Sequence, residues 1–163
     1  MSIPVVIDTD PGIDDSMAIL LALASREIDV VGITAVMGNG GVENTARNAA
    51  KTCAVAERTD VEIGIGASQP LVRPYCGQGV RMHGPDGLGG TGLGQGMPLP
   101  TAHALDLLYR LADSHAGKLV LITLGPLTNI ALAVQARPSF VSKIRGVVCM
   151  GGAACLRGRV SQG

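Results

Sequence analysis

The sequence predicts an α/β fold, a Rossmann-like open and mostly parallel sheet with helices on both faces. Three observations predict it. Strand-like and helix-like segments alternate in order along most of the chain, the pattern of a parallel sheet linked by right-handed crossovers. Hydrophobic residues make up 47% of the chain, yet there are one Phe, two Tyr and no Trp. The core must therefore be aliphatic, as in strands buried on both faces. Polar or glycine-rich residues also follow the strands, where folds of this class bind ligands.

Each element has its own signal. Residues 3–8 read as a buried strand, and an apolar helix follows from about 14 to 26. Residues 30–36 are a second strand. Residues 42–58 have helical periodicity, with Ala46, Ala49, Ala50, Ala54 and Val55 on or near one face. A short strand near 62–65 leads into a long segment. Thr101 is placed to N-cap a helix running to about His115. Then come a strand at 119–124, a helix at 127–136 stopped before Pro138, and a last strand at 146–150. The whole chain, 1–163, reads as one domain. Within it, residues 66–100 break the alternation as a glycine-rich loop that includes Gly87-Leu88-Gly89-Gly90-Thr91-Gly92. Loops this long in compact domains are usually functional lids or disordered.

Composition excludes several classes. Acids and bases balance at 13 each, so the chain carries no electrostatic footprint for nucleic acid or an anionic membrane. The longest apolar run, residues 17–24, is too short to span a bilayer. The start of the chain has no basic n-region and reaches Asp8 almost at once, so no signal peptide is expected and a cytoplasmic location is. Cys53, Cys76, Cys149 and Cys155 show no C-x-x-C spacing and read as reduced thiols.

The chemistry concentrates where the first strand ends. Asp8, Asp10, Asp14 and Asp15 fall within eight residues, between two apolar segments. Alternation along a strand points Asp8 and Asp10 to the same side. Asp14 and Asp15 fall in the first helical turn, where the dipole favours an anion by about 0.3–1 kcal/mol. That is too little to hold four convergent charges, whereas a hard divalent cation bound by carboxylate oxygens would suffice. Helix-capping acids in a Pro-Gly turn are the plainer reading, but they account for Asp14 and not for Asp8 and Asp10. Three further segments follow strands: Met37-Gly38-Asn39-Gly40-Gly41, Thr123-Leu124-Gly125-Pro126-Leu127-Thr128-Asn129 and Met150-Gly151-Gly152-Ala153. Together they outline one crevice. Thr128 and Asn129 read as caps of the helix they begin, and the methionines as packing residues.

With these segments in hand, the chain resembles the nucleoside hydrolases that prefer inosine and uridine. The resemblance rests on Asp8-Thr9-Asp10-Pro11-Gly12-Ile13-Asp14-Asp15, Gly38-Asn39, His83-Gly84-Pro85-Asp86-Gly87-Leu88-Gly89, Leu124-Gly125-Pro126-Leu127-Thr128-Asn129 and Met150-Gly151-Gly152-Ala153. It implies calcium-dependent hydrolysis of the N-glycosidic bond of ribonucleosides to ribose and free base. It also implies that Asp10, Asp15 and the Leu124 carbonyl bind Ca2+, and that Asp10 acts as general base on the calcium-bound water. Asp14 would hydrogen-bond a ribose hydroxyl, Asn39 would line the sugar pocket, and His83 would sit in the loop where the base leaves. Asp8 would brace the neighbouring acids from behind. A homo-oligomer is implied as well.

The chain departs from the family pattern near its end. Gly158 is followed by Arg159 where the family has Asn, and the Glu and second Asn that grip ribose are absent. So are a late His and a further calcium-binding Asp. The resemblance therefore implies the N-terminal part of a nucleoside hydrolase, with weakened calcium binding and an uncovered edge at the last strand. A non-catalytic calcium- or nucleoside-binding fragment is the alternative. A haloacid dehalogenase-type phosphohydrolase would use Asp8 and Asp10 as its Asp-x-Asp pair, but residues 11–15 do not fit the usual Gly-Thr continuation. An EF-hand fails because Gly12 stands where a third acid belongs and Ile19 replaces the closing Glu.

Overall fold

Six strands form one open sheet in the computed structural model, which describes residues 2–75, 80–94 and 96–152. In chain order the elements are β1 (Ile3–Thr9), α1 (Ile13–Ala24), β2 (Ile28–Ala35), α2 (Val42–Val55), β3 (Ile63–Ile65) and α3 (Val80–His83). After these come β4 (Ala102–His103), α4 (Ala104–Ser114), β5 (Leu119–Thr123), α5 (Thr128–Ala136), a 3-10 turn (Pro138–Lys143) and β6 (Ile144–Cys149). The strand order is β4-β3-β2-β1-β5-β6, and every described pair is parallel. The chain leaves β1 toward one edge and later returns on its other side as β5. That reversal opens a crevice at the carboxyl ends of β1 and β5, the usual ligand position in such sheets.

Alternation along β1 splits the core in two. Val5 and Ile7 pack with Ile19 of α1 and with Ala49 and Cys53 of α2. Val6 faces the other way, into Leu107, Leu108 and Leu111 of α4, Leu119 and Leu121 of β5, and Phe140. Phe140 is fully buried and meets Tyr109 edge-on at 5.7 Å. The Tyr109 hydroxyl donates to the Ala133 carbonyl at 2.9 Å and so ties α4 to α5. Helices thus cover both faces with an aliphatic core, as the composition implied.

Element order agrees with the sequence reading, and most boundaries move by only a few residues. Two readings need correction. Thr101 is not the cap of the following helix: Ala102 and His103 pair with Gly64 and Ile65 as a short edge strand, and the His103 imidazole accepts the Leu105 N–H at 3.3 Å. Gly64 permits this, because a Cβ there would lie 2.7 Å from Ala104 Cα. Also, the glycine-rich segment is not featureless, since it holds the helical turn α3.

At the other edge, Val147, Val148 and Met150 are exposed on and just after β6. Among the described residues, no helix is long and apolar enough to cross a membrane. Cys53 is a buried free thiol and Cys149 an exposed one. Cys76, Cys155, Gly158 and Arg159 lie outside the described residues.

Candidate active site

The acid turn is built by the end of β1 and the start of α1. Asp8 and Asp10 leave the strand two residues apart, and Asp15 enters the first turn of α1, where its Oδ2 accepts the Gly12 N–H at 3.2 Å. Asp10 is clasped from two sides by backbone. A Cβ on Gly38 would lie 2.0 Å from Asp10 Oδ2, and one on Gly125 would lie 2.4 Å from Oδ1. Only glycine allows the loops after β2 and β5 to close so tightly on this carboxylate.

Asn39 joins the acids. Its backbone N–H donates to Asp10 Oδ2 at 2.7 Å, and its side-chain Nδ2 donates to the Asp10 carbonyl and to Asp15 Oδ2, each at 3.1 Å. With both kinds of donor engaged, Oδ1 is the atom Asn39 can offer a sugar hydroxyl. Burial lifts the pKa of Asp10 to about 7, with the Asp15 charge adding to the rise and the Asn39 N–H opposing it. Burial also raises Asp15, against the hydrogen bond from Gly12.

A cavity of about 390 Å³ opens over this turn. Asp10, Asp14, Asp15, Asn39, His83 and Leu124 all line it, while Met82, Pro126 and Met150 supply its apolar side. Every residue expected to touch metal or substrate is therefore brought to one cavity. Met82 and Met150 are exposed there, so packing is not their role.

Two expected residues make contacts that their expected roles did not include. His83 is buried against the acid turn: its Nδ1 accepts the Ile13 N–H at 3.3 Å, and its Nε2 lies 3.8 Å from Asp14 Oδ1. Asp8 is bonded to residues outside the acid turn. Its Oδ1 accepts the Thr34 hydroxyl at 2.6 Å and the Asn129 amide at 2.8 Å. The bracing expected of Asp8 is thus directed at β2 and α5. Burial raises its pKa to about 6 against both bonds.

Other residues carried no clear signal. Asn129 does not cap α5. Its Nδ2 also donates to the Ala35 carbonyl at 3.0 Å, and its Oδ1 accepts the Ala67 N–H at 2.8 Å, anchoring the root of the glycine-rich loop. The Tyr75 hydroxyl donates to the Gly38 carbonyl at 3.1 Å, beside Asp10. Asn48 sits on the alanine-rich face of α2, and a polar residue on such a face is the one local hint that it is bonded to something.

The donor set suits a hard cation. Asp10 and Asp15 offer carboxylate oxygens and Leu124 a carbonyl, all hard ligands, and the burial and repulsion that raise both carboxyl pKa values are what a divalent charge would relieve. Among the described residues, no group of three His, Cys, Asp or Glu side chains could hold a metal. The set of two carboxylates and one carbonyl is consistent with that.

A family model described as inosine-uridine preferring nucleoside hydrolase matches residues 5–162. The chain belongs to this nucleoside hydrolase family. It is 38% identical over 161 residues to uridine nucleosidase 1 of Arabidopsis thaliana, covering 96% of this chain and 47% of that protein. It is 39% identical over 158 residues to the pyrimidine-specific ribonucleoside hydrolase RihA of Escherichia coli, covering 94% and 49%. Among solved structures, a plant nucleoside hydrolase superposes with a TM-score of 0.85 at 35% identity, over 94% of this chain and 49% of that one. An inosine-guanosine nucleoside hydrolase gives 0.82 at 31%, over 98% and 50%. The chain spans about half the length of the relatives it matches.

Proposed function

We propose that this nucleoside hydrolase chain carries the acid-bearing part of a site that hydrolyses the N-glycosidic bond of ribonucleosides with the help of Ca2+. The observation that carries the reading is the convergence of Asp10, Asp14, Asp15, Asn39, His83 and the Leu124 segment on one cavity at the sheet's switch point. Asp10, Asp15 and the Leu124 carbonyl would hold the cation. When bound, it supplies the Lewis acidity that lowers the pKa of the attacking water.

The remaining steps belong to the chain's own groups. Asp10 takes the proton from water, a carboxylate within hydrogen-bond reach serving as general base. The N-riboside departs through an oxocarbenium-like transition state, and the Asp10 and Asp15 carboxylates stabilise the positive charge that develops. Asp14 and the Asn39 amide oxygen hold ribose hydroxyls, fixing the sugar for attack. Met82, Pro126 and Met150 offer an apolar wall to the base, with His83 at its edge. Asp8 supports the floor through Thr34 and Asn129. On the resemblance the reading extends to a homo-oligomer, and on the reduced-thiol reading of the cysteines to the cytoplasm.

A second reading is non-catalytic binding of calcium or nucleoside in the same cavity. The phosphohydrolase reading loses support, because its nucleophile would be Asp8, which is buried and bonded to Thr34 and Asn129. The test is ribose release from uridine and inosine, with calcium and with a chelator. Chelator-sensitive turnover abolished in Asp10→Ala supports the enzyme. Saturable nucleoside binding by folded protein with no ribose release supports the binding reading.

A further inference from the structure

Helix α2 reaches the crevice through one fully buried side chain. Asn48 Nδ2 donates to the Pro11 carbonyl at 3.2 Å and to the Asp86 carbonyl at 2.9 Å. An amide nitrogen carries two hydrogens, so both bonds form at once. Pro11 adjoins Asp10, and Asp86 lies three residues after His83. One helical turn earlier, Asn44 Nδ2 donates to the same Asp86 carbonyl at 3.1 Å.

The loop is shaped to present that carbonyl. The Asp86 carboxylate accepts the Leu88 and Gly90 N–H groups at 2.9 and 2.8 Å, and the His83 carbonyl accepts the Gly89 N–H at 2.8 Å. Gly87 takes a φ of +76°, and a Cβ on it would lie 2.7 Å from Asn48 Nδ2. On the far side, the Ile13 N–H meets His83 Nδ1. The contacts therefore close a ring that runs from the acid turn to His83, along the loop to Asp86, through Asn48 and back to Pro11.

We propose that Asn48 is a positioning residue of the crevice, holding the Pro11 and Asp86 carbonyls on one amide and so seating His83 against the acid turn. Two carbonyl oxygens converge on this point, and the two hydrogens of one amide nitrogen satisfy both without burying a charge. Packing alone would be served by an isosteric apolar side chain, without the cost of burying an amide. The inference deepens the reading of the cavity as a nucleoside site, but its readout is the state of His83 and needs no turnover.

The test is a long-range 1H–15N spectrum of the full chain at mildly alkaline pH, with amide exchange at Ile13. In the unaltered protein, His83 should show an unprotonated Nδ1 and a protonated Nε2. In Asn48→Leu the imidazole should become a tautomer mixture, with Ile13 exchanging at least roughly tenfold faster. Gly87→Ala strikes the same contact from the loop and should give the same result, which keeps the test open if Asn48→Leu does not fold. Cys53→Ala, on the same helix but packed in the aliphatic core with Val5, Ile7 and Ile19, should change neither. A folded Asn48→Leu or Gly87→Ala protein that keeps its His83 tautomer and Ile13 protection overturns the proposal, as does an equal disturbance in Cys53→Ala. Absence of hydrolysis with an intact His83 signature would count against the enzymatic reading alone.

Discussion

Replacing Asp8 by Asn should stabilise the protein at neutral pH, although it removes an acid from the family's signature stretch. Asp8 is 1% exposed, and both of its donors, Thr34 and Asn129, use the same oxygen. Among the described residues, its Oδ2 has no hydrogen-bond partner, and neither does the hydroxyl of Thr123, its register neighbour on β5. Burial outweighs the two bonds and raises the pKa from 3.8 to about 6. A rise of about two units corresponds to about 3 kcal/mol.

The sign follows from linkage. The folded-state pKa lies above the unfolded one, so the stability associated with neutral Asp8 is complete below about pH 4 and lost as pH rises to about 6. Asn stays neutral throughout, its oxygen can accept the same two donors, and its amide can donate to Thr123. Asp10 and Asp15 titrate in both proteins and cancel in the comparison. Urea denaturation followed by circular dichroism, from about pH 4 to pH 8 in chelator, should show the advantage of Asp8→Asn growing by about 3 kcal/mol across that window. A difference that stays flat with pH would refute the reasoning, because it would mean the buried carboxylate ionises at no cost.

Further outcomes follow from the same geometry. Calcium binding should weaken as pH falls through about 7, with proton release on binding, because Asp10 must give up its proton to act as a ligand; calorimetry in buffers of different ionisation enthalpy would detect it. Gly125→Ala should lower calcium affinity by at least roughly tenfold with little loss of secondary structure, since the new Cβ would displace Asp10 Oδ1 from 2.4 Å. Phe140→Ala should cost about 3–5 kcal/mol in urea denaturation, since this ring is fully buried against Tyr109 and far from the acids in the chain.

Much of the fold was legible because its signals are local. The aliphatic runs of β1, β2 and β5 and the alanine face of α2 announce themselves by composition and period, and each is decided within about ten residues. The acid turn was legible for the same reason, as Asp8, Asp10, Asp14 and Asp15 lie in one short stretch whose repulsion demands an explanation. The role of His103 as a cap was not, because it depends on β4 pairing with Gly64, some forty residues earlier in the chain.

What the sequence determined by itself is the inventory: an α/β sheet with an aliphatic core, acids at the end of its first strand, and glycines where backbone must come close. Tertiary structure alone decided how those groups are divided. Asp8 and Asp10 lie two residues apart at the end of β1, yet Asp8 is bonded to Thr34 and Asn129 while Asp10 is clasped by Gly38 and Gly125. His83, Asn48 and Asn129 acquired their partners from segments between 37 and 121 residues away. Hydrogen-bond partners at such separations are chosen by how the sheet brings loops together, and no local pattern of residue types encodes that choice.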